Sequence, residues 1–286
     1  MILITGATGQ LGAATIQHLL KKTTSNNIVA FARDEQKAAS LREKGIEVRI
    51  GNFNDSASLD NAMVGIDKVL LVSGTDVDRF QQHQNVINAA KKAGVKHIVY
   101  TSVSLNDINT SAIKSFMQSH FQTEDYIKEL KLNYTLLRNT LYTDGFPFFA
   151  GEKALDNGIF LPSGEGKVPY ALRDEMAEAA ANVLIEDGHQ NKTYNITGSD
   201  LYSYEDVARE LSLLSDKTIQ YTDINASTFS EQLKKFGVPE PVIFLVSGFS
   251  EDIKNKQFET ISNDLENLLG RKPAALKDGL KAIYKF

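Results

Sequence analysis

The sequence predicts an α/β fold, in which a doubly wound parallel sheet is joined to a smaller, intertwined C-terminal lobe. Three observations lead to this prediction. Short apolar runs alternate with amphipathic stretches over residues 1–139, as expected when each crossover between parallel strands contains a helix. A glycine-rich turn joins the first run to the first amphipathic stretch. After Asn139 the alternation ends, and 286 residues are enough for a second lobe.

The alternating part of the chain predicts six strands and five helices. The strands are short β-branched runs at residues 1–5, 27–33, 46–52, 67–74, 95–102 and 133–139. The helices lie between them, at residues 11–22, 35–45, 56–65, 78–94 and 120–130. Ser56 is the expected N-cap of the third helix. Right-handed crossovers then place helices on both faces of the sheet.

The remaining chain is less regular. Residues 158–173 predict an extended pair around a glycine-containing turn. A helix follows with Asp174 as its N-cap, then a strand at 192–198, then a helix in which Ser203 and Asp206 come close to a capping box. Short helices fill most of the chain after residue 223, and no clean linker is present. We expect one domain from residues 1–145, to which 170–200 return, and an intertwined substrate-binding lobe from 146–169 and 201–286.

Composition excludes several classes of protein. A formal net charge of -5 without a Lys/Arg cluster argues against a nucleic-acid partner. The chain has no cysteine, which excludes disulfides and thiolate-ligated zinc, and its histidines share no metal-ligand spacing, so no metal site is expected. We expect no signal peptide, no membrane association and a cytoplasmic location. The oligomeric state is left open.

The first turn, "ITGATGQLG", predicts a dinucleotide-binding loop. Gly6 permits the tight turn after the strand, Gly9 allows the backbone to approach a pyrophosphate, and Gly12 lets the helix lie close to the sheet. The free N–H groups of the helix N-terminus favour an anion at the same place. The alternative is a tight strand–helix turn without a ligand.

Further motifs extend this interpretation to a family. "TGATGQLG", "AAKKAGVKHIVYTS", "H-x-x-T-E", "YTLLRN" and "GH-x-x-KTYN" together resemble the NmrA-like branch of the atypical short-chain dehydrogenases/reductases. Within that branch the chain resembles the type 2 NAD(P)H:quinone oxidoreductases and the triphenylmethane reductases. The resemblance implies that residues 1–145 are an NADP-binding Rossmann domain and that the activity is a reduction by NAD(P)H.

The end of the second strand predicts which nicotinamide cofactor is used. Arg33 can hold a 2′-phosphate through its guanidinium group, and Lys37 can add a second positive charge. Asp34 follows directly and would favour NAD if it bonded the ribose hydroxyls instead. A solvated Arg–Asp pair is the third interpretation. Because the resemblance implies that the matching arginine binds the 2′-phosphate, we expect NADP(H).

The other cofactor contacts are expected at the carboxyl ends of the strands, where ligands of such sheets bind. Together with the glycine loop, the expected set comprises Gly6, Ala7, Thr8, Gly9, Gln10, Leu11, Gly12, Arg33, Val72, Ser73, Gly74, Thr101, Ser102, Arg138, Asn139, Thr140, Leu141 and Tyr142. The resemblance supports the groups at Val72–Gly74 and Arg138–Tyr142.

The chain departs from the large short-chain reductase families at their catalytic motif. None of its ten tyrosines has a lysine four residues later, so proton donation by a Tyr-x-x-x-Lys pair is excluded. His120 is the candidate catalytic residue in its place, with Glu124 on the same helix face to fix its tautomer. The alternative is an ordinary surface pair.

The expected acceptor is a small, flat aromatic molecule such as a quinone. Tyr142, Phe146, Phe148 and Phe149 follow the sixth strand and are expected to bind it, although any one of these rings could instead belong to the core. The prediction is direct hydride transfer from NADPH without flavin or metal. Two alternatives stay open: a regulatory protein that senses NADP(H) without turnover, and a reductase of another conjugated molecule.

Overall fold

The structure is a computed structural model that describes residues 1–151 and 153–286. In this part of the chain, a seven-stranded sheet has the order β3-β2-β1-β4-β5-β6-β8, and every adjacent pair in it is parallel. The strands, with two outside that sheet, are β1 Ile2–Ile4, β2 Ile28–Ala32, β3 Glu47–Ile50, β4 Lys68–Leu71, β5 His97–Val103, β6 Tyr134–Asn139, β7 Ile159–Leu161, β8 Lys192–Ile196 and β9 Tyr221–Asp223. The predicted doubly wound α/β fold is confirmed.

Helices cover both faces of the sheet. They are α1 Gln10–Leu20, α2 Glu35–Glu43, α3 Ser56–Ala62, α4 Arg79–Lys92, α5 Lys114–Glu129, α6 Phe146–Ala150, α7 Ala154–Asn157, α8 Arg173–Ile185, α9 Tyr204–Ser215, α10 Ala226–Lys235, α11 Glu240–Lys254, α12 Asp264–Leu269 and α13 Leu276–Tyr284. Alternate strand residues face opposite sides: Ile2 and Ile4 join the core under α1, α2, α8 and α12, and Leu3 joins the core under α3, α4 and α5.

A third core holds the smaller lobe together. It is built from α6, β7, α9, α10, α11 and α13, and its largest buried side chains include Phe146, Tyr204 and Phe258. Val103 of β5 and Met117 of α5 belong to the same core, so the lobe packs directly on the sheet domain. This packing agrees with a lobe that is intertwined with the sheet domain. The residue boundaries of the two parts stay a prediction.

Several local predictions need correction. Residues 158–173 form no hairpin, because β7 pairs in parallel with the distant β9 and Val168 bridges to Tyr202. Asp55, not Ser56, caps α3 by accepting from the Ala57 N–H. Asp174 does not cap α8 and lies 3.0 Å from the His18 imidazole instead.

Two other predictions concern helix starts. α5 begins at Lys114, earlier than the predicted 120, because Phe116 and Met117 extend its apolar face towards the second lobe. The capping box at α9 is complete, with the Asp206 carboxylate in the position that Glu or Gln usually fills. Among the described residues, no helix has the length and apolar character needed to cross a bilayer.

Candidate active site

A cavity of about 840 Å³ runs along the carboxyl ends of the strands from β1 to β6. The loops after β1, β2, β3, β4 and β6 contribute to its wall, and β5 contributes Thr101 from the strand itself. The lining residues are Gly6, Thr8, Gly9, Gln10, Leu11, Gly12, Phe31, Ala32, Arg33, Lys37, Asn52, Phe53, Asn54, Val72, Ser73, Gly74, Asp76, Gln82, Thr101, Tyr142 and Arg173.

The glycine loop between β1 and α1 has the geometry of an anion cradle. Gly6 has a φ of +58°, which favours glycine, and the Gly9 N–H donates to the Gly6 carbonyl at 2.9 Å. A Cβ at Gly12 would lie 2.3 Å from the Gly6 carbonyl oxygen, so only glycine allows this close packing. No side chain caps α1 at Gly9. The first N–H groups of α1 are therefore available to a phosphate, and the loop fits a pyrophosphate.

The loop after β2 separates the two charged candidates for cofactor selection. Asp34 is the N-cap of α2, and its carboxylate accepts from the N–H groups of Gln36 at 2.8 Å and Lys37 at 3.1 Å. Arg33 and Lys37 line the cavity, and Asp34 does not. The Arg33 side chain is 76% exposed and lies 3.7 Å from the carboxylate of Asp76. This arrangement favours a cation, rather than the Asp34 carboxylate, beside the ribose.

Beyond β6, an arginine is stacked on a tyrosine in the cavity wall. The Arg173 guanidinium lies 4.4 Å from the Tyr142 ring centroid and pairs with the Asp144 carboxylate at 2.7 Å. The Arg173 side chain is only 17% exposed. Burial raises the pKa of the Tyr142 phenol, which therefore stays protonated at neutral pH.

Most of the expected cofactor residues line this cavity: Gly6, Thr8, Gly9, Gln10, Leu11, Gly12, Arg33, Val72, Ser73, Gly74, Thr101 and Tyr142. Six others lie elsewhere among the described residues: Ala7, Ser102, Arg138, Asn139, Thr140 and Leu141. Ala7 is buried in the core, and Ser102 and Arg138 both bond Glu124.

Several wall residues were not expected from the sequence: Phe31, Ala32, Asn52, Phe53, Asn54, Asp76, Gln82 and Arg173. The same strand-end argument, applied after the third strand, would have found Asn52, Phe53 and Asn54. No signal in the sequence pointed to Asp76 or Arg173.

His120 lies behind the cavity wall and does not line it in the described structure. Its Nδ1 is 3.0 Å from the Tyr100 hydroxyl, so its partner is Tyr100 rather than Glu124. Burial, reinforced by the positive charge of Arg79 and by His83, holds the pKa of His120 well below its usual value. The imidazole is therefore neutral at physiological pH.

Glu124 is not at the surface either. Its carboxylate accepts from the Arg138 Nε at 2.9 Å and from the Ser102 hydroxyl at 2.6 Å, and the side chain is almost fully buried. The interpretation of His120 and Glu124 as a surface pair is wrong.

The three phenylalanines of the expected substrate set do not line the cavity in the described structure. Phe146 is buried in the third core, that of the smaller lobe, against Tyr170 and Tyr204. Phe149 packs on Phe249, and Phe148 is about half exposed. Tyr142 is the ring of that set that faces the cavity. Among the described residues, no group of three or more His, Asp or Glu side chains is arranged to hold a metal ion.

Almost the whole chain is similar to one known protein family. The sequence matches the NmrA-like family over residues 1–283. The chain belongs to the NmrA-like family. The expected resemblance is therefore confirmed, and relatives can be compared along almost the whole length.

Two curated relatives and two solved structures illustrate the similarity. Quinone oxidoreductase 2 of Escherichia coli is 35% identical over 99% of both chains, and the NAD(P)H azoreductase of Xenophilus azovorans is 27% identical over 84% of this chain and 82% of the relative. A Citrobacter sp. triphenylmethane reductase complexed with NADP(H) superimposes with a TM-score of 0.93 at 38% identity, covering 99% of this chain and 100% of that one. The E. coli NADPH-dependent quinone oxidoreductase complexed with NADPH gives a TM-score of 0.93 at 35% identity with the same coverage.

Proposed function

We propose that the chain is an NADPH-dependent reductase that transfers hydride directly to quinones or similar flat aromatic acceptors, without flavin or metal. One observation carries this proposal: a single cavity combines a glycine loop suited to an anion, an arginine after β2 and a tyrosine ring after β6. The similar proteins include a quinone oxidoreductase, an azoreductase and a triphenylmethane reductase, which supports the same class of reaction.

The glycine loop and the loop after β2 would hold the dinucleotide. When bound, NADPH supplies the hydride. The α1 N–H groups after Gly9 would donate to its pyrophosphate, and Arg33 and Lys37 would bind the 2′-phosphate. Asn52, Phe53 and Asn54 close the wall on the same side of β1 as Arg33. The remaining expected contacts that line the cavity are proposed as cofactor or acceptor contacts on the other side of β1: Val72, Ser73, Gly74, Thr101 and Tyr142.

The acceptor would bind beside Tyr142. The ring offers a flat apolar face, and the protonated phenol can donate a hydrogen bond to an acceptor oxygen. The Arg173 guanidinium, which also lines the cavity, is stacked on the ring and would hold it in place for an acceptor. The rotameric freedom of Tyr142 is thus reduced before any acceptor arrives.

A buried acid is not needed for a quinone. Hydride addition leaves an aromatic hydroquinone anion that water can protonate, so His120 would act by supporting the wall through Tyr100 rather than by donating a proton. A catalytic role for His120 remains the alternative. The cytoplasmic location stays a prediction.

A second candidate function rests on the missing Tyr-x-x-x-Lys pair. A protein that binds NADP(H) and signals its level needs the cavity but no proton donor. Such a sensor would have the same glycine loop and the same arginine, Arg33, as a reductase. Binding without turnover is what distinguishes it.

The deciding experiment follows NADPH absorbance with a panel of quinones, azo dyes and triphenylmethane dyes, in protein free of flavin. We expect turnover of at least one quinone, and loss of both turnover and NADPH binding in Gly9→Val. Gly9 has a φ of -83°, which valine can adopt, but a Cβ there would lie 3.2 Å from the Gly6 carbonyl oxygen, so circular dichroism must first show that the variant is folded. NADPH binding by calorimetry without turnover of any acceptor would favour the sensor.

A further inference from the structure

The Arg33 guanidinium already has an anionic neighbour. Its Nη1 lies 3.7 Å from the Asp76 carboxylate, and both side chains line the cavity. Arg33 follows β2 and Asp76 lies in the loop between β4 and α4, so the pair joins two separate strand ends. Asp76 is the one acidic side chain in the described lining of the cavity.

The other carboxylates near this loop are engaged elsewhere. Asp34 caps α2, and Glu35 pairs with Arg42 at 2.8 Å. Asp78 accepts hydrogen bonds from the side chains of Gln82 and Asn54. The Asp76 carboxylate has no such second role among the described contacts, so its partner is Arg33.

The loop that carries Asp76 is anchored without this ion pair. The Ser73 N–H donates to the Thr101 hydroxyl at 2.9 Å, and the buried Arg79 donates to the Gly74 carbonyl at 2.9 Å. The Arg33–Asp76 pair itself is exposed, at 76% and 46% of the two side chains. Exposed pairs contribute little to stability, so Arg33 can exchange one anion for another without disturbing the fold.

We propose that Asp76 is a specificity-determining residue that occupies Arg33 until a 2′-phosphate displaces it. The inference rests on the proposed use of NADPH. Asp76 must release Arg33 when the phosphate binds, which lowers the affinity for NADPH. NADH, which has a 2′-hydroxyl, does not need Arg33 and leaves the pair intact. Asp76 therefore narrows the difference in affinity between the two cofactors.

The test is Asp76→Asn, which keeps the shape and removes the charge. Calorimetry would measure the dissociation constants of NADPH and NADH, and of 2′,5′-ADP and 5′-AMP, which differ only in the 2′-phosphate. We expect NADPH and 2′,5′-ADP to bind about two- to fivefold more tightly, the range of an exposed ion pair. NADH and 5′-AMP should bind no more tightly than before. Asp60→Asn is the matched control, because Asp60 pairs with Lys92 away from the cavity.

A double variant tests the stated route through Arg33. In an Arg33→Ala background, Asp76→Asn should give no gain for NADPH, since there is no guanidinium left to release. An equal gain with and without Arg33, or an unchanged ratio of NADPH to NADH affinity in the single variant, would overturn the inference. Failure of the proposed function looks different, because the unsubstituted protein would then bind NADPH without turnover of any acceptor, or would bind neither NADPH nor 2′,5′-ADP.

Discussion

Two arginine–aspartate pairs contribute to the cavity wall and differ in distance, exposure and packing. Arg33 and Asp76 both line the cavity, whereas only the arginine of the Arg173–Asp144 pair does so. Arg33 and Asp76 are 3.7 Å apart, and the arginine is 76% exposed. Arg173 and Asp144 are 2.7 Å apart, and the arginine is 17% exposed and stacked on Tyr142. The first pair can be exchanged for a ligand, and the second holds a wall in place.

The difference follows from solvation. Water screens the exposed pair, so opening it costs little and a phosphate with a higher charge can replace the carboxylate. The second pair is more buried, with 17% and 31% of the two side chains exposed, so the removal of one partner leaves the other charge less well solvated. We therefore propose that the exposed pair serves cofactor selection and that the more buried pair holds Tyr142 in place.

The largest effect is expected from breaking the buried pair. Arg173→Met keeps the length of the side chain but frees Tyr142 and leaves Asp144 unpaired. We expect kcat/KM with a quinone to fall about tenfold to a hundredfold, as misplaced groups at a reacting site do. The loss should be equal with NADPH and NADH in steady-state assays. A loss confined to NADPH would show that Arg173 binds the 2′-phosphate, and the two arginines would then not differ in role.

An intermediate effect is expected from the exposed pair. Arg33→Ala should weaken NADPH about tenfold, since a charge-assisted hydrogen bond contributes about 1.5 kcal/mol at the low end of its range, while NADH changes little. Dissociation constants from calorimetry check this. Arg42→Ala is the control, because Arg42 pairs with Glu35 on α2 and does not line the cavity. Equal weakening of both cofactors would assign the phosphate to another residue.

The smallest effect on turnover is expected from the histidines behind the wall. His120 is neutral at physiological pH because burial lowers its pKa. Its titration should therefore cause no change in kcat with a quinone between pH 6 and 8. A kcat titration in this range that disappears in His120→Gln would make His120 catalytic.

The burial of a histidine should instead affect how the free energy of unfolding depends on pH. Burial lowers the pKa of His83 to about 3, below its value in the unfolded chain, so the unfolded state binds the proton more readily. The free energy of unfolding should therefore fall as pH drops below about 6.5, by about 2 kcal/mol for His83 between pH 7 and 5. Urea unfolding at both pH values measures this, and His83→Gln should reduce the difference by that amount.

The first half of the chain was predictable because its signals are local. The apolar runs of β1 to β6, the glycines between β1 and α1 and the position of Arg33 are all read within a few residues of sequence. The pairing of β7 with β9 was not predictable, because strand partners about 60 residues apart leave no local pattern in the sequence. The glycine-containing turn at residue 164 instead predicted a hairpin. Phe146 shows the same limit, since an aromatic residue after β6 fits a core and a pocket equally well.

The sequence by itself determined the sheet, the anion-binding loop and the cation after β2, because strand and helix periodicity and glycine geometry act over short stretches. Only the tertiary structure decided the partners of the charged side chains. Asp34 caps α2, and Asp76 from another loop pairs with Arg33. Glu124 pairs with Arg138, and His120 lies within hydrogen-bond distance of the Tyr100 hydroxyl. The physical reason is that charge and hydrogen-bond partners are chosen by proximity and burial in space, which the order of residues along the chain does not encode directly.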